Sequence, residues 1–234
     1  MSAPAAQRGR LREVAARAAV ELEGAHPLDV LRWAAAEFGG RMCVSSSMTD
    51  AVLAHLAARA RPGVPVLFLD TGYHFAETMG TRDAVATVLP VTVHTVRPVA
   101  TVAEQDAAYG PRLYERDPDL CCRLRKVRPL AAALAPYSAW VSGVRRDEAP
   151  SRRDTPVVAW HERHALVKVN PLAAWTQSDV DGYVAEHGVL VNPLVDDGYP
   201  SIGCTPCTRP VAAGAGPRSG RWTGAAKTEC GIHV

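Results

Sequence analysis

Cysteines are paired at two points of this chain, Cys121-Cys122 and Cys204-Thr205-Pro206-Cys207, and another, Cys230, stands near its end in Lys-Thr-Glu-Cys-Gly-Ile-His. Thiolates suit soft metal centres, and four of them complete either a tetrahedral zinc site or a cubane iron-sulfur cluster. Zinc sites usually space their cysteines so that a turn wraps the ion. Adjacent thiolates have to splay apart and fit a large cluster more easily, which puts iron-sulfur ahead of zinc. Cys230 stands outside both pairs and reads as a reagent. Cys43 lies in an apolar run and reads as a small core residue.

Anion chemistry is written beside these thiols. Arg123, Arg125, Lys126 and Arg128 follow the first pair, Arg145 and Arg146 follow an apolar run ending at Ser142, and Arg218 and Arg221 flank Ser219-Gly220 before Trp222. On a helix Lys126 lies four residues beyond Cys122, and Arg125 four beyond Cys121, so each shares a face with a thiolate. Two loops offer further anion contacts. Ser45-Ser46-Ser47 follows one apolar run and is expected to open a helix, where hydroxyls and backbone N–H groups meet an anion at a positive helix end. Asp70-Thr71-Gly72 follows the next run, with Gly72 placed for a tight turn or a close approach to a nucleotide. Neither loop has the Rossmann or Walker pattern. Together the groups favour a substrate bearing phosphate or sulfate.

The elements that must position these residues alternate in type. Arg41–Val44, Val64–Leu69 and Val91–Val96 read as strands, separated by helical patterns over 49–59 and 75–88. That βαβαβ order predicts an α/β fold, a parallel twisted sheet with helices on both faces, whose ligands sit beyond the carboxyl ends of the strands. A helix is expected over 121–134, strands over 139–142 and 166–169, and a helix over 177–187 capped by Thr176. The first 25 residues read as an amphipathic surface helix and lack the apolar core of a signal peptide. After Pro200 the chain turns to Gly, Pro, Ser and Thr, yet holds three of the six cysteines.

The 234 residues, 47% of them hydrophobic, suffice for one substantial core. A net charge of +2 argues against nucleic acid as a partner. No run of about 18 apolar residues predicts a membrane span. Cysteines without a secretion signal point to a reducing compartment, the cytoplasm.

Assembled in order, Leu69-Asp-Thr-Gly-Tyr-His-Phe75, Cys121-Cys-Arg-Leu-Arg-Lys126, Gly203-Cys-Thr-Pro-Cys207, Arg218-Ser-Gly-Arg-Trp222 and Lys227-Thr-Glu-Cys-Gly-Ile-His233 span nearly the whole chain. In these motifs it resembles the bacterial assimilatory, iron-sulfur type of adenosine 5'-phosphosulfate (APS) reductase, within the family that also reduces the 3'-phosphorylated substrate (PAPS). The cysteine pairs, which PAPS-reducing relatives typically lack, favour APS. The resemblance implies one 4Fe-4S cluster per subunit on Cys121, Cys122, Cys204 and Cys207, and Cys230 as nucleophile. It further implies an adenine-nucleotide α-hydrolase-like (ATP pyrophosphatase-like) fold. The pyrophosphate loop of those enzymes is replaced by Ser45-Ser-Ser-Met-Thr-Asp50.

On that basis residues 1–207 are expected to form one nucleotide- and cluster-binding domain, and 208–234 a mobile tail that brings Cys230 to the substrate. Cys230 would take the sulfonate from APS and release AMP, and thioredoxin or a similar dithiol protein would then free sulfite. Lys126 and His233 are the expected catalytic helpers, Lys126 bridging cluster and substrate, and His233, Arg218 or Arg221 supplying positive charge to the thiolate. Ser45, Ser46, Ser47, Asp70, Thr71, Gly72, Arg145, Arg146, Arg218 and Arg221 are the expected substrate contacts. No membrane or nucleic-acid partner is implied, and the resemblance leaves room for a homo-oligomer. The competing readings are a PAPS reductase that kept a cluster, an adenylating sulfurtransferase and a zinc-stabilised binding module.

Overall fold

A computed structural model describes residues 5–212, 214–224 and 227–233. Six strands, β1 (Met42–Ser45), β2 (Val64–Leu69), β3 (Val91–Val96), β4 (Ala139–Ser142), β5 (Val158–His161) and β6 (Leu166–Val169), form one sheet in the order β3-β2-β1-β4-β6-β5. Neighbours pair in parallel except β5, which runs antiparallel to β6 at the edge. Five of these strands are those the apolar runs predicted; β5 is an addition and makes the sheet mixed.

Alternation along each strand sorts the two faces. Met42, Val44, Val66, Phe68, Ala139, Val141, Val167 and Val169 pack into a large core with α1 (Ala5–Glu21), α2 (Pro27–Phe38), α3 (Val52–Ala60) and α9 (Gln177–His187). The N-terminal helix is indeed amphipathic. It buries Leu11, Val14, Ala15 and Ala18 and turns its arginines outward. On the opposite face Cys43, Leu67, Trp140 and Leu166 meet Leu130 and Leu134 of α8 (Arg128–Leu134) and, from the far end of the chain, Ile232. Cys43 is wholly buried there, and its thiol is pushed well above the ordinary range by that burial.

The remaining helices are α4 (Ala76–Val88), α5 (Val102–Tyr109), α6 (Leu113–Arg116) and α7 (Pro118–Cys122). Between α7 and α8 the chain adopts a π-helical turn over Arg123–Val127, closed by a hydrogen bond from the Arg128 N–H to the Arg123 carbonyl. The expected helix over 121–134 is therefore present but starts earlier, at Pro118, and is locally widened. Thr176 caps α9 as its sequence predicts, in a reciprocal pair with Asp179. Among the described residues no helix is long and apolar enough to cross a membrane.

Candidate active site

The residues singled out by type gather beyond the carboxyl end of β2, where an open α/β sheet places its ligands. After Leu69 the chain makes a tight turn in which the Asp70 carboxylate accepts the Gly72 N–H at 3.1 Å and pairs with Arg97. Gly72 sits at φ +76°, and a Cβ there would lie 3.0 Å from Val102 and 3.1 Å from Arg125. A side chain is excluded on both counts. Thr71 is buried, with its hydroxyl 3.2 Å from the Cys204 sulfur. Of this turn Tyr73 lines the cysteine pocket, while Thr71 braces Cys204 from behind and Asp70 and Gly72 shape the turn. The His74 ring donates to the Leu69 carbonyl at 2.7 Å, and burial holds it below the ordinary imidazole range.

Both cysteine pairs line one small pocket, together with Tyr73, Tyr114, Arg125, Lys126 and Trp222. The first pair arrives on α7, whose end is fixed by Asp117 accepting the Leu120 N–H at 2.8 Å. The second arrives on a short turn, Thr205–Cys207, tied to the Asp70 loop by a hydrogen bond from the Thr205 N–H to the Tyr73 carbonyl at 2.7 Å. Burial and the neighbouring thiols push Cys121 up to about 12, and burial pushes Cys122 to about 11. Thiols so placed resist ionising unless a positive centre joins them, so these four are the residues able to hold a metal group. Among the described residues, no three or more His, Cys, Asp or Glu side chains are arranged to hold a single metal ion.

The helical spacing of the basic residues holds, with a difference between the two. Arg125 is buried and spends its guanidinium on the carbonyls of Thr71 and Ala100 and on Gln105. Lys126 makes no such commitment. Burial acts against its charge, but the thiols of Cys204, Cys230 and Cys122 overcome it and hold the ammonium above its ordinary value. Arg221 lies over the Trp222 ring at 4.6 Å and packs against Gly203, where a Cβ would fall 2.1 Å from its guanidinium.

Other expected contacts lie elsewhere. Ser45 ends β1, accepting the Trp140 indole N–H at 2.7 Å, and the Ser46 N–H bonds to Leu67. No helix opens at this triplet. Ser46, Ser47 and Met48 form a loop with Met48 at φ +60°, and α3 begins only at Val52, whose N–H the Asp50 carboxylate accepts. The serine hydroxyls bond locally, Ser46 to Met48 and Ser47 to Thr49, instead of capping a positive helix end. Arg145 is buried against Asp147 and Gln177, while Arg146 reaches Thr155 and Glu23. Neither lines the cysteine pocket, so the second basic group braces the loops after β4 and does not converge with the other two.

The tail is docked along the second face of the sheet. Glu229 pairs with Arg152 and Arg218, and Lys227 with Asp119. Arg163 donates to the Gly231 carbonyl and Lys168 to that of His233. The His233 ring stacks on Trp140 at 5.4 Å and 10°. Burial first, then the positive charges of Lys168, Arg152 and Arg218, push it well below the ordinary imidazole range. It is held neutral, so it does not offer Cys230 the positive charge the sequence assigned to it. Half-buried Cys230 lies near enough to Lys126, Cys122 and Lys168 to bias their protonation.

Sequence spacing gave no hint of Arg152, Arg163 or Lys168, which meet the tail across 65 to 77 residues. His161 and His164, read as scattered, stack on each other at 4.8 Å and both pack edge-on to Trp140.

The family of the phosphoadenosine phosphosulfate reductase domain matches residues 41–210. An adenosine 5'-phosphosulfate reductase of Streptomyces coelicolor is 62% identical over 95% of this chain and 94% of its own. One from Mycolicibacterium smegmatis is 59% identical over 96% and 95%. Among solved structures, the phosphoadenylyl-sulfate reductase of Candida auris in its phosphate complex superposes with a TM-score of 0.67 at 28% identity, over 88% of this chain and 97% of that one. Candida glabrata FMN adenylyltransferase, at 13% identity, TM-score 0.57 and coverage of 79% and 63%, shares the fold, as an adenine-nucleotide α-hydrolase-like architecture predicts. With that domain matched across both anion loops and both cysteine pairs, the chain belongs to the phosphoadenosine phosphosulfate reductase family.

Proposed function

We propose that this protein reduces adenosine 5'-phosphosulfate to sulfite and AMP, with Cys230 as the reacting thiol. The observation that carries the reading is the meeting, at one pocket, of four cysteines, three of them buried, with Lys126 and the tail that bears Cys230. Relatives at 55–62% identity over nearly the full chain carry the name of that activity, which supports the choice of APS over PAPS.

In the proposed chemistry the Cys230 thiolate attacks the sulfate sulfur, and the bond from sulfur to the bridging phosphate oxygen breaks. AMP leaves with the electron pair, and the enzyme holds a Cys-S-sulfonate. A dithiol protein of the thioredoxin type then attacks the Cys230 sulfur, sulfite departs with the S–S electron pair, and the second thiol of the donor resolves the mixed disulfide. The two electrons come from the dithiol. Lys126 and the arginines at Trp222, Arg218 and Arg221, offset the charge that builds on the phosphosulfate. A tail that closes on the substrate and then opens for the donor serves both halves of the cycle.

Cys121, Cys122, Cys204 and Cys207 would hold a 4Fe-4S cluster. Their donor set is all sulfur, and burial makes ionising Cys121, Cys122 and Cys207 without a metal costly. When bound, the cluster would offset part of the thiolate charge and shape the electrostatic field on the Lys126 side of the pocket. Thiols in this state suit a reducing compartment such as the cytoplasm.

The test is sulfite release from APS and from PAPS, side by side, by anaerobically purified protein supplied with reduced thioredoxin. Sulfite from APS in strong preference is expected. Sulfite from neither substrate, with iron and sulfide at full content, refutes the reading and favours a sulfurtransferase.

A further inference from the structure

We infer that Arg152 is a positioning residue for Cys230, acting through a two-point ion pair with Glu229 that fastens the tail immediately before the thiol. Arg152 ends the short turn Pro150–Arg152, well away from the cysteine pocket in sequence. Its Nε and Nη2 donate to the two Glu229 carboxylate oxygens, each at 2.8 Å. The Nη1 of the same guanidinium donates to Glu148 at 2.5 Å, and Arg218 adds a bond to Glu229 at 3.1 Å from the other side.

The result is a chain of alternating charge, Glu148, Arg152, Glu229, Arg218, whose side chains are 22%, 11%, 21% and 15% exposed. A bidentate arginine–carboxylate pair fixes direction as well as distance. Shielded this far from water, it is costly to break on one side only. Burial would raise the Glu229 carboxyl, but Arg152 and Arg218 reverse that and hold it below the ordinary carboxylate range.

The fastener matters because of where it falls. Beyond Cys230 the chain is held by a different anchor, Ile232 in the apolar cluster and His233 on Trp140. The thiol is therefore suspended between a carboxylate–guanidinium hold on one side and, on the other, packing by Ile232 and His233 together with hydrogen bonds from Arg163 and Lys168 to the backbone. Freeing the ionic side leaves Cys230 tethered downstream but no longer aimed.

Cys230 is taken here as the reacting thiol, but its exposure can be read without substrate, so failure of this inference and failure of the proposed reaction are distinguishable. The experiment is the rate of iodoacetamide alkylation at Cys230, mapped by mass spectrometry in anaerobically purified, iron-loaded protein. Glu229→Gln keeps the side-chain volume and touches only the tail. It is expected to raise the Cys230 alkylation rate about tenfold, with iron content unchanged.

Arg152→Ala is expected to do the same, and the double variant about as much as the larger single effect, because each substitution already removes the Arg152–Glu229 ion pair. A simple loss of loop packing at residue 152 would instead add its effect to that of Glu229→Gln. An unchanged alkylation rate in Glu229→Gln, or effects that multiply in the double variant, overturns the inference. Should Arg152→Ala fail to fold, Arg152→Lys replaces it, and a rate between the parent and Glu229→Gln is the result expected of a pair reduced to one contact.

Discussion

Acidification should loosen this protein at one place, the hairpin of β5 and β6, and His161 allows the size of the effect to be worked out. Burial, aided by His164, Lys168 and Arg163, lowers its imidazole from 6.5 to about 4. The folded state thus prefers the neutral ring, and the stability it contributes is complete above the unfolded value and lost as pH falls from 6.5 toward 4. At about pH 5 the unfolded ring is almost fully protonated and the folded ring scarcely so, which amounts to about 2 kcal/mol for an unscreened group. Partial exposure to water reduces that to about 1 kcal/mol.

The assay compares urea unfolding of the parent and of His161→Phe, which keeps an aromatic ring against Trp140, at about pH 7 and about pH 5 with iron content matched. His164 and His233 interact with His161, so the difference between the two proteins reads His161 together with its coupling to them. The parent should lose about 1 kcal/mol more on acidification than the variant. Equal losses in the two proteins would refute the burial argument.

At Gly220 a Cβ would lie 2.1 Å from the Arg209 carbonyl oxygen, a backbone atom that cannot swing away. Gly220→Ala should therefore break the bridge between Thr208 and Arg221 and cost about 1–3 kcal/mol, seen as a lowered denaturation midpoint with early proteolysis after Cys207. Cys230→Ser should keep the iron and sulfide content of the parent and bind AMP, yet form no sulfonated protein when mixed with APS. A sulfonate adduct on that variant by mass spectrometry would move the nucleophile elsewhere.

The central strands were legible because each is a short apolar run buried on both faces, as at Val64–Leu69. The edge strand Val158–His161 was not. It is half-buried beyond its first residue, and its pairing with Leu166–Val169 rests on a hairpin whose turn has no marked signal. The cysteine pocket was legible because its thiols come in two local pairs, which the structure brings together.

At the serine triplet it is the expected helix start that fails, since α3 begins only at Val52. Ser45 looks like the lip of an anion loop, but its hydroxyl is taken by the Trp140 indole, a partner 95 residues away. The hold on the tail was invisible for the same reason. Nothing near Glu229 in sequence suggests Arg152, and a Gly- and Pro-rich segment without periodicity gives no face to match against a partner.

The π turn at Arg123–Val127 gives the site a fragile inheritance. Such a turn holds one residue more than an α-helical ladder needs. A single-codon deletion between Cys122 and Arg128 would relax it to regular helix, leaving Leu130 and Leu134 in their places against the sheet. The flanks would keep their phase, because the widened turn had absorbed the extra residue, so Cys121 and Cys122 would stay on the pocket while the cations between Cys122 and Arg128 changed their facing. The placing of Lys126 against the thiols is therefore what one short step in a descendant of this fold would change, at little expense to its stability.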